Sequence, residues 1–172
     1  GADGVVIGML NEDGEVDIEN MKKVLAKRGN MKVTFHRAFD MCKDPIKAFK
    51  DIKNLGIDIL LTSGQKKTAL EGKELIKELV KISKEGKAET EKGFPEVMMA
   101  CGIDSLEKLE DMLNYTHASA FHMSAKRVID SEMKYRNPEV NMGIEGFSEY
   151  QKLETDKNIV EMYYNFLCEF IK

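Results

Sequence analysis

Two imidazoles, a guanidinium, a carboxylate and several hydroxyls stand where this sequence could do chemistry: His36, Arg37, Asp40, Thr62, Ser63, His122 and Ser124. Imidazole exchanges protons near neutrality, guanidinium forks onto an oxyanion, and hydroxyls orient what is bound. Together they suit a small anionic ligand or a metal ion. Sulfur supplies a second set, Cys42, Met99 and Cys101. Thiolate and thioether select Cu(I), although no C-x-x-C occurs and Met98-Met99-Ala100-Cys101 is the nearest thing to a pre-arranged pair. A thiol nucleophile would need Cys42 near His36 or Cys101 near His122, within hydrogen-bond reach. His36, His117 and His122 show no zinc spacing. Each residue also has a purely structural employment. His36 and His122 could be imidazoles bonded to backbone carbonyls, and Arg37 with Asp40 an internal salt bridge holding a loop. Thr62 and Ser63 could satisfy a turn, and His117 follows a helix end as a surface or capping residue.

These residues need elements to position them. Val33-Thr34-Phe35-His36-Arg37 reads as the end of a strand over 32–37. A loop then leads to a helix over about 45–55, with Asp44 as N-cap and Pro45 in its first turn. The same unit recurs. Strands are expected over 4–10, 57–62, 96–100 and 119–123, and helices over 18–28 (capped by Asp17), 68–84, 105–114 (capped by Asp104 or Ser105) and 156–171. Residues 84–93, charged and almost without apolar side chains, read as a surface loop. Residues 126–155 carry no clear period and read as an irregular but ordered excursion that retains Val128, Ile129, Met133, Tyr135, Met142 and Phe147. The whole is expected to be a single domain over 1–172.

Strands alternating with helices imply a parallel sheet with right-handed crossovers. The period fits a (β/α) barrel or a doubly wound sheet. No G-x-G-x-x-G follows a strand and no Walker loop is present. In parallel α/β proteins ligands bind at the carboxyl ends of strands, where His36, Ser63, Cys101 and His122 all fall. Side chains alternate along a strand. Parity then puts Thr34, His36, Leu60, Thr62, His122 and Ser124 on the barrel-facing side, with His36 and His122 side by side at one rim. A one-residue slip would bring in Arg37, Ser63 and Met123 instead. The same parity puts Met99 and Cys101 on one face.

Bulk properties narrow the classes. At 172 residues the chain can bury one core, and 33% charged residues against 42% hydrophobic is a folded rather than a disordered balance. A net charge of −4 with interspersed signs excludes the basic stripe that nucleic acid requires. No apolar run reaches the length of a membrane span. Three cysteines are an odd, sparse set, read as free thiols in a reducing compartment. Eleven methionines are read as flexible core filler.

The run TFHRAFDM at 34–41, followed by LTSGQ at 61–65, is specific. With GADGVVIG at 1–8, ALEG at 69–72, FHMSA at 121–125 and MKYRNPEVNMG at 133–143, it resembles the CutC copper-homeostasis family, the last stretch being similar to its eukaryotic members. The resemblance implies an α/β, TIM-barrel-like fold, here partial, with about five parallel strands and a C-terminal helix. It further implies a cytoplasmic, often homo-oligomeric protein associated with the copper ion as Cu(I). Two departures stand out. The family chain begins about three βα units earlier, and five strands cannot close an eight-stranded barrel. The family's glycine-rich turn reads Met98-Met99-Ala100-Cys101-Gly102 here, keeping one glycine of an anion-cradling turn.

Three functional expectations follow. The first is a copper-homeostasis protein binding Cu(I) without established catalysis, with Cys42, Met99 and Cys101 as ligands. The second is an enzyme for a small anionic metabolite, with His36 as acid/base, Arg37 as anion anchor, and Ser63 and His122 as positioners. The third is a degenerate, partial family member.

Overall fold

The computed structural model describes residues 1–89, 93–140 and 148–170. The chain divides into two compact units, Gly1–Met123 and Ser124–Lys172.

The first unit is built from β1 (Gly4–Ile7), α1 (Ile18–Leu25), β2 (Lys32–Phe35), α2 (Pro45–Asn54), β3 (Ile59–Thr62), α3 (Lys73–Glu89), β4 (Glu96–Ala100), α4 (Leu106–Thr116) and β5 (Ala120–His122). A 3₁₀ turn, Arg37–Met41, intervenes between β2 and α2. The helices start where short polar side chains can take up free N–H groups. Asp17 accepts from the Asn20 N–H at 3.0 Å, Asp44 from Lys47 at 2.9 Å and Ser105 from Lys108 at 3.2 Å. Pro45 opens α2, where its missing N–H costs nothing. Helix α4 ends on His117 in the left-handed region at φ 57°, the capping position expected for it.

The five strands are parallel and lie in chain order, β1-β2-β3-β4-β5. An α/β sheet whose order never reverses is the arrangement of a barrel wall rather than of a doubly wound sheet. Register settles which residues share a face. Val33 pairs with Val5, Phe35 with Leu60, Leu60 with Val97, and Thr62 with Met99. This face packs on the helices: Val33, Phe35, Leu60, Thr62 and Met99 are fully buried, with Met21, Phe49, Ile52, Ile76, Leu79 and Leu109. The other face carries Val6, Thr34, Ile59, Leu61, Met98, Ala120 and His122. It is open, with Val6 62% exposed.

Two sequence expectations are corrected here. Leu60 and Thr62 do not share the face of Thr34: the register opposes Thr34 to Ile59, so β3 is one residue out of the expected phase. Parity within each strand was sound, but nothing local fixes one strand's phase against the next when both faces are apolar. Helix α3 starts at Lys73 and runs to Glu89, through residues read as loop. Lys and Glu are good helix formers even where no apolar stripe marks them. Gly86 lets this stretch pack closely, since a Cβ there would meet the Phe94 ring at 2.3 Å. Residues 90–92 of the expected loop lie outside the described residues.

The second unit contains β6 (Lys126–Asp130), β7 (Gln151–Thr155) and α5 (Lys157–Phe170). The stretch read as irregular therefore holds an antiparallel ladder, with Val128 opposite Leu153. Its strands are about twenty residues apart in sequence and largely exposed, so neither a tight-turn signal nor clean alternation announced them. Asp156 starts α5, accepting from the Asn158 N–H at 2.7 Å and pairing with Arg127 Nε at 3.0 Å. Met142 and Phe147 lie outside the described residues.

Candidate functional site

The chemistry-bearing residues of the first unit gather at the carboxyl ends of β2, β3 and β4. Strand β2 stops at Phe35, and His36 caps the 3₁₀ turn: its Nδ1 accepts from the Ala38 N–H at 3.0 Å. The turn carries Arg37 and Asp40 toward the β3 end.

Asp40 is the centre of the arrangement. Its side chain is 6% exposed, and it accepts from Arg37 Nε at 2.6 Å and Thr62 Oγ1 at 2.5 Å. The backbone N–H groups of Ser63 and Gln65 add bonds of 3.1 Å. Ser63 Oγ lies 3.0 Å from the carboxylate and 2.5 Å from the Lys66 carbonyl. Burial by itself opposes ionisation of Asp40. The bonds from Thr62, Arg37, Gln65 and Ser63 outweigh it and hold the carboxyl below its ordinary range. The Arg37 guanidinium is held charged, first by its bond to Asp40, against some loss of solvation.

Arg37 carries the network on to β4. Nη2 donates to Ser63 Oγ and Nη1 to Cys101 Sγ, both at 2.8 Å. Cys101 sits at φ 73°, directly after β4, and its carbonyl accepts from the Ala69 N–H at 2.9 Å. The β3–α3 loop can close so tightly because Gly64 and Gly72 meet backbone to backbone. A Cβ on Gly72 would lie 2.0 Å from the Ser63 carbonyl oxygen.

Sulfur is distributed unevenly. Cys42 is buried, and its thiol is pushed up to about 11, by burial first, with the bond from Gln65 partly offsetting it. Gln65 Nε2 donates to the Cys42 carbonyl at 2.5 Å and to Sγ at 3.2 Å. Met99 is fully buried on the helix-covered face. Cys101 alone of these three is half-buried and joined to the charged network.

Several expectations change against this geometry. His36 and His122 are not side by side: β3 and β4 lie between β2 and β5, about 14 Å along a sheet at the usual strand spacing. His122 is exposed. Ser124 falls in the second unit, where its carbonyl accepts from Thr155 Oγ1 at 3.2 Å. Arg37, read as an anion anchor, spends three of its N–H groups on Asp40, Ser63 and Cys101. Thr62 faces the buried side, yet its hydroxyl reaches Asp40. Among the described residues no group of three His, Cys, Asp or Glu is placed to hold a metal ion. The sequence reading missed Gln65, whose φ of 57° turns its N–H onto Asp40. The Ser-Gly-Gln run signals a turn but not which carboxylate the turn will meet.

The family model for CutC matches residues 1–127. The chain belongs to the CutC family. A "Copper homeostasis protein cutC homolog" from Homo sapiens is 43% identical, over 91% of this chain and 54% of that protein. A family protein CutC from Parabacteroides distasonis is 39% identical over 93% of this chain and 63% of its own length. This CutC chain thus spans a little over half to under two thirds of those relatives. A solved CutC structure from Streptococcus agalactiae superposes with a TM-score of 0.60 at 23% identity, covering 70% of this chain and 55% of that one. That likeness supports the barrel-type wall read from the strand order. No helix among the described residues is long and apolar enough to cross a membrane.

Proposed function

We propose that this chain serves copper homeostasis by binding Cu(I), with Cys101 as the anchoring sulfur. The observation that carries the reading is family membership, with relatives named as copper homeostasis proteins at about the identity quoted above. The chemistry of the strand-end site selects among the donors. Cu(I) prefers thiolate and thioether. Cys42 is disfavoured because burial stabilises its neutral thiol. Met99 is sealed behind the sheet. Cys101 is reachable, at the end of β4 where ligands of parallel α/β folds bind. Cytoplasmic location and assembly with further copies belong to the same proposal, resting on the family resemblance.

The metabolite-enzyme reading is weaker, because β3 and β4 separate His36, its expected acid/base, from His122, its expected positioner. Competition against a chromophoric Cu(I) chelator tests the copper reading on the full chain. Stoichiometric binding that Cys101→Ser removes and Cys42→Ser largely spares is expected. Binding unchanged by Cys101→Ser, or none that competes with the chelator, would overturn it.

A further inference from the structure

We infer that His36 is a fixed hydrogen-bond donor that binds an oxyanion at the open sheet face, not a metal ligand. A backbone N–H can only donate. The Ala38 N–H points at His36 Nδ1 at 3.0 Å, so Nδ1 must present its lone pair. The neutral ring then carries its proton on Nε2. A metal bound through Nε2 needs a lone pair there. That requires the other tautomer, whose Nδ1–H would face the Ala38 N–H donor to donor.

The ring's place is fixed as well as its proton. It lies against Gly8 at the end of β1, where a Cβ would come within 2.8 Å of both Cε1 and Nδ1. No room exists for the ring to swing toward β1. Phe35 flanks it with ring centroids 6.1 Å apart. Through Nε2 His36 donates to none of the described residues, and the ring is half-buried. What remains is one oriented N–H at the strand-end rim, with its proton available to an acceptor.

The chemistry of that acceptor follows from its neighbours. A carboxylate or phosphate oxygen forms a stronger, charge-assisted bond to such a donor than a neutral carbonyl does. Arg37, the next residue, has a side chain 40% exposed and N–H groups beyond those spent on Asp40, Ser63 and Cys101. The ligand class is therefore a small oxyanion.

The test is a long-range ¹H–¹⁵N spectrum of the full chain at mildly alkaline pH, with His36 assigned by its loss in His36→Asn. That variant keeps a side-chain oxygen able to accept from the Ala38 N–H but lacks the distal donor. The expected result is an Nε2–H tautomer whose signals move saturably with inorganic phosphate or with acetate, titrated separately. His36→Asn should remain folded and lose at least tenfold in affinity for the anion. Gly8→Ala should weaken binding by displacing the ring without touching a polar group. Cu(I) addition should leave Nε2 in its protonated range. An Nδ1–H tautomer, a Cu(I)-induced shift of Nε2 to a ligated position, or no saturable response to either anion would overturn the inference.

Discussion

Replacing Asp40 by Asn exchanges one oxygen for a donor inside a site built from donors. Thr62 Oγ1 and the Gln65 N–H converge on one carboxylate oxygen, and Arg37 Nε and Ser63 Oγ on the other. An amide oxygen at the first position could keep its set. The amide NH₂ would then face Arg37 Nε and Ser63. A hydrogen bond to a charged group contributes about 1.5–3 kcal/mol net. Arg37 is partly exposed, so its share is discounted toward the low end. Losing that bond and crowding donors should cost about 2–3 kcal/mol, and Asp40→Ala, which strands every donor, about 3–5 kcal/mol. Urea unfolding followed by the signal of the first unit reads this directly. The pH dependence supplies the sign. The folded-state carboxyl sits below its ordinary value, so its contribution is complete above that value and is lost as pH falls toward the lowered one. The wild-type advantage over Asp40→Asn should hold at pH 7 and shrink below about pH 4. A variant within about 0.5 kcal/mol of wild type, or a gap that persists undiminished in acid, would refute the central role given to this carboxylate.

Other perturbations address the neighbouring features. Gly72→Ala should destabilise by about 3 kcal/mol or more, since its methyl meets backbone rather than a movable side chain; unaltered unfolding would mean the loop closes otherwise. Cys42 should resist iodoacetamide at neutral pH and react only toward its raised value of about 11, while exposed Cys168 is labelled first; mass spectrometry of digests distinguishes them. Leu60→Ala should cost about 2–5 kcal/mol and Leu61→Ala clearly less, because only the former faces the helices; the reverse order would show that the phase of β3 is misassigned.

Much of the architecture was legible because it is written locally. Asp17 and Asp44-Pro45 announced two helix starts, the pair Asp104 and Ser105 a third, of which Ser105 is the cap, and the apolar runs ended where the strands end to within a few residues. The Arg37–Asp40 pair was foreseen as an alternative and is present. The phase of β3 was not legible. Leu60 and Leu61 are both apolar, so sequence gives no reason to send one inward and the other outward. The pairing of β6 with β7 was hidden by distance along the chain. The site itself was half visible. Side chains that carry charge identified themselves, whereas Gln65 entered through its backbone N–H, which every residue but proline shares.

One consequence of the crowded carboxylate concerns how this end of the sheet breathes. The amide protons of Ser63 and Gln65 terminate on the same two oxygens that clasp the 3₁₀ turn after β2. Neither loop can lift away alone without stranding the other's partners. Excursions from the native state at this rim are therefore concerted, a single latch opening rather than two loops fluttering separately.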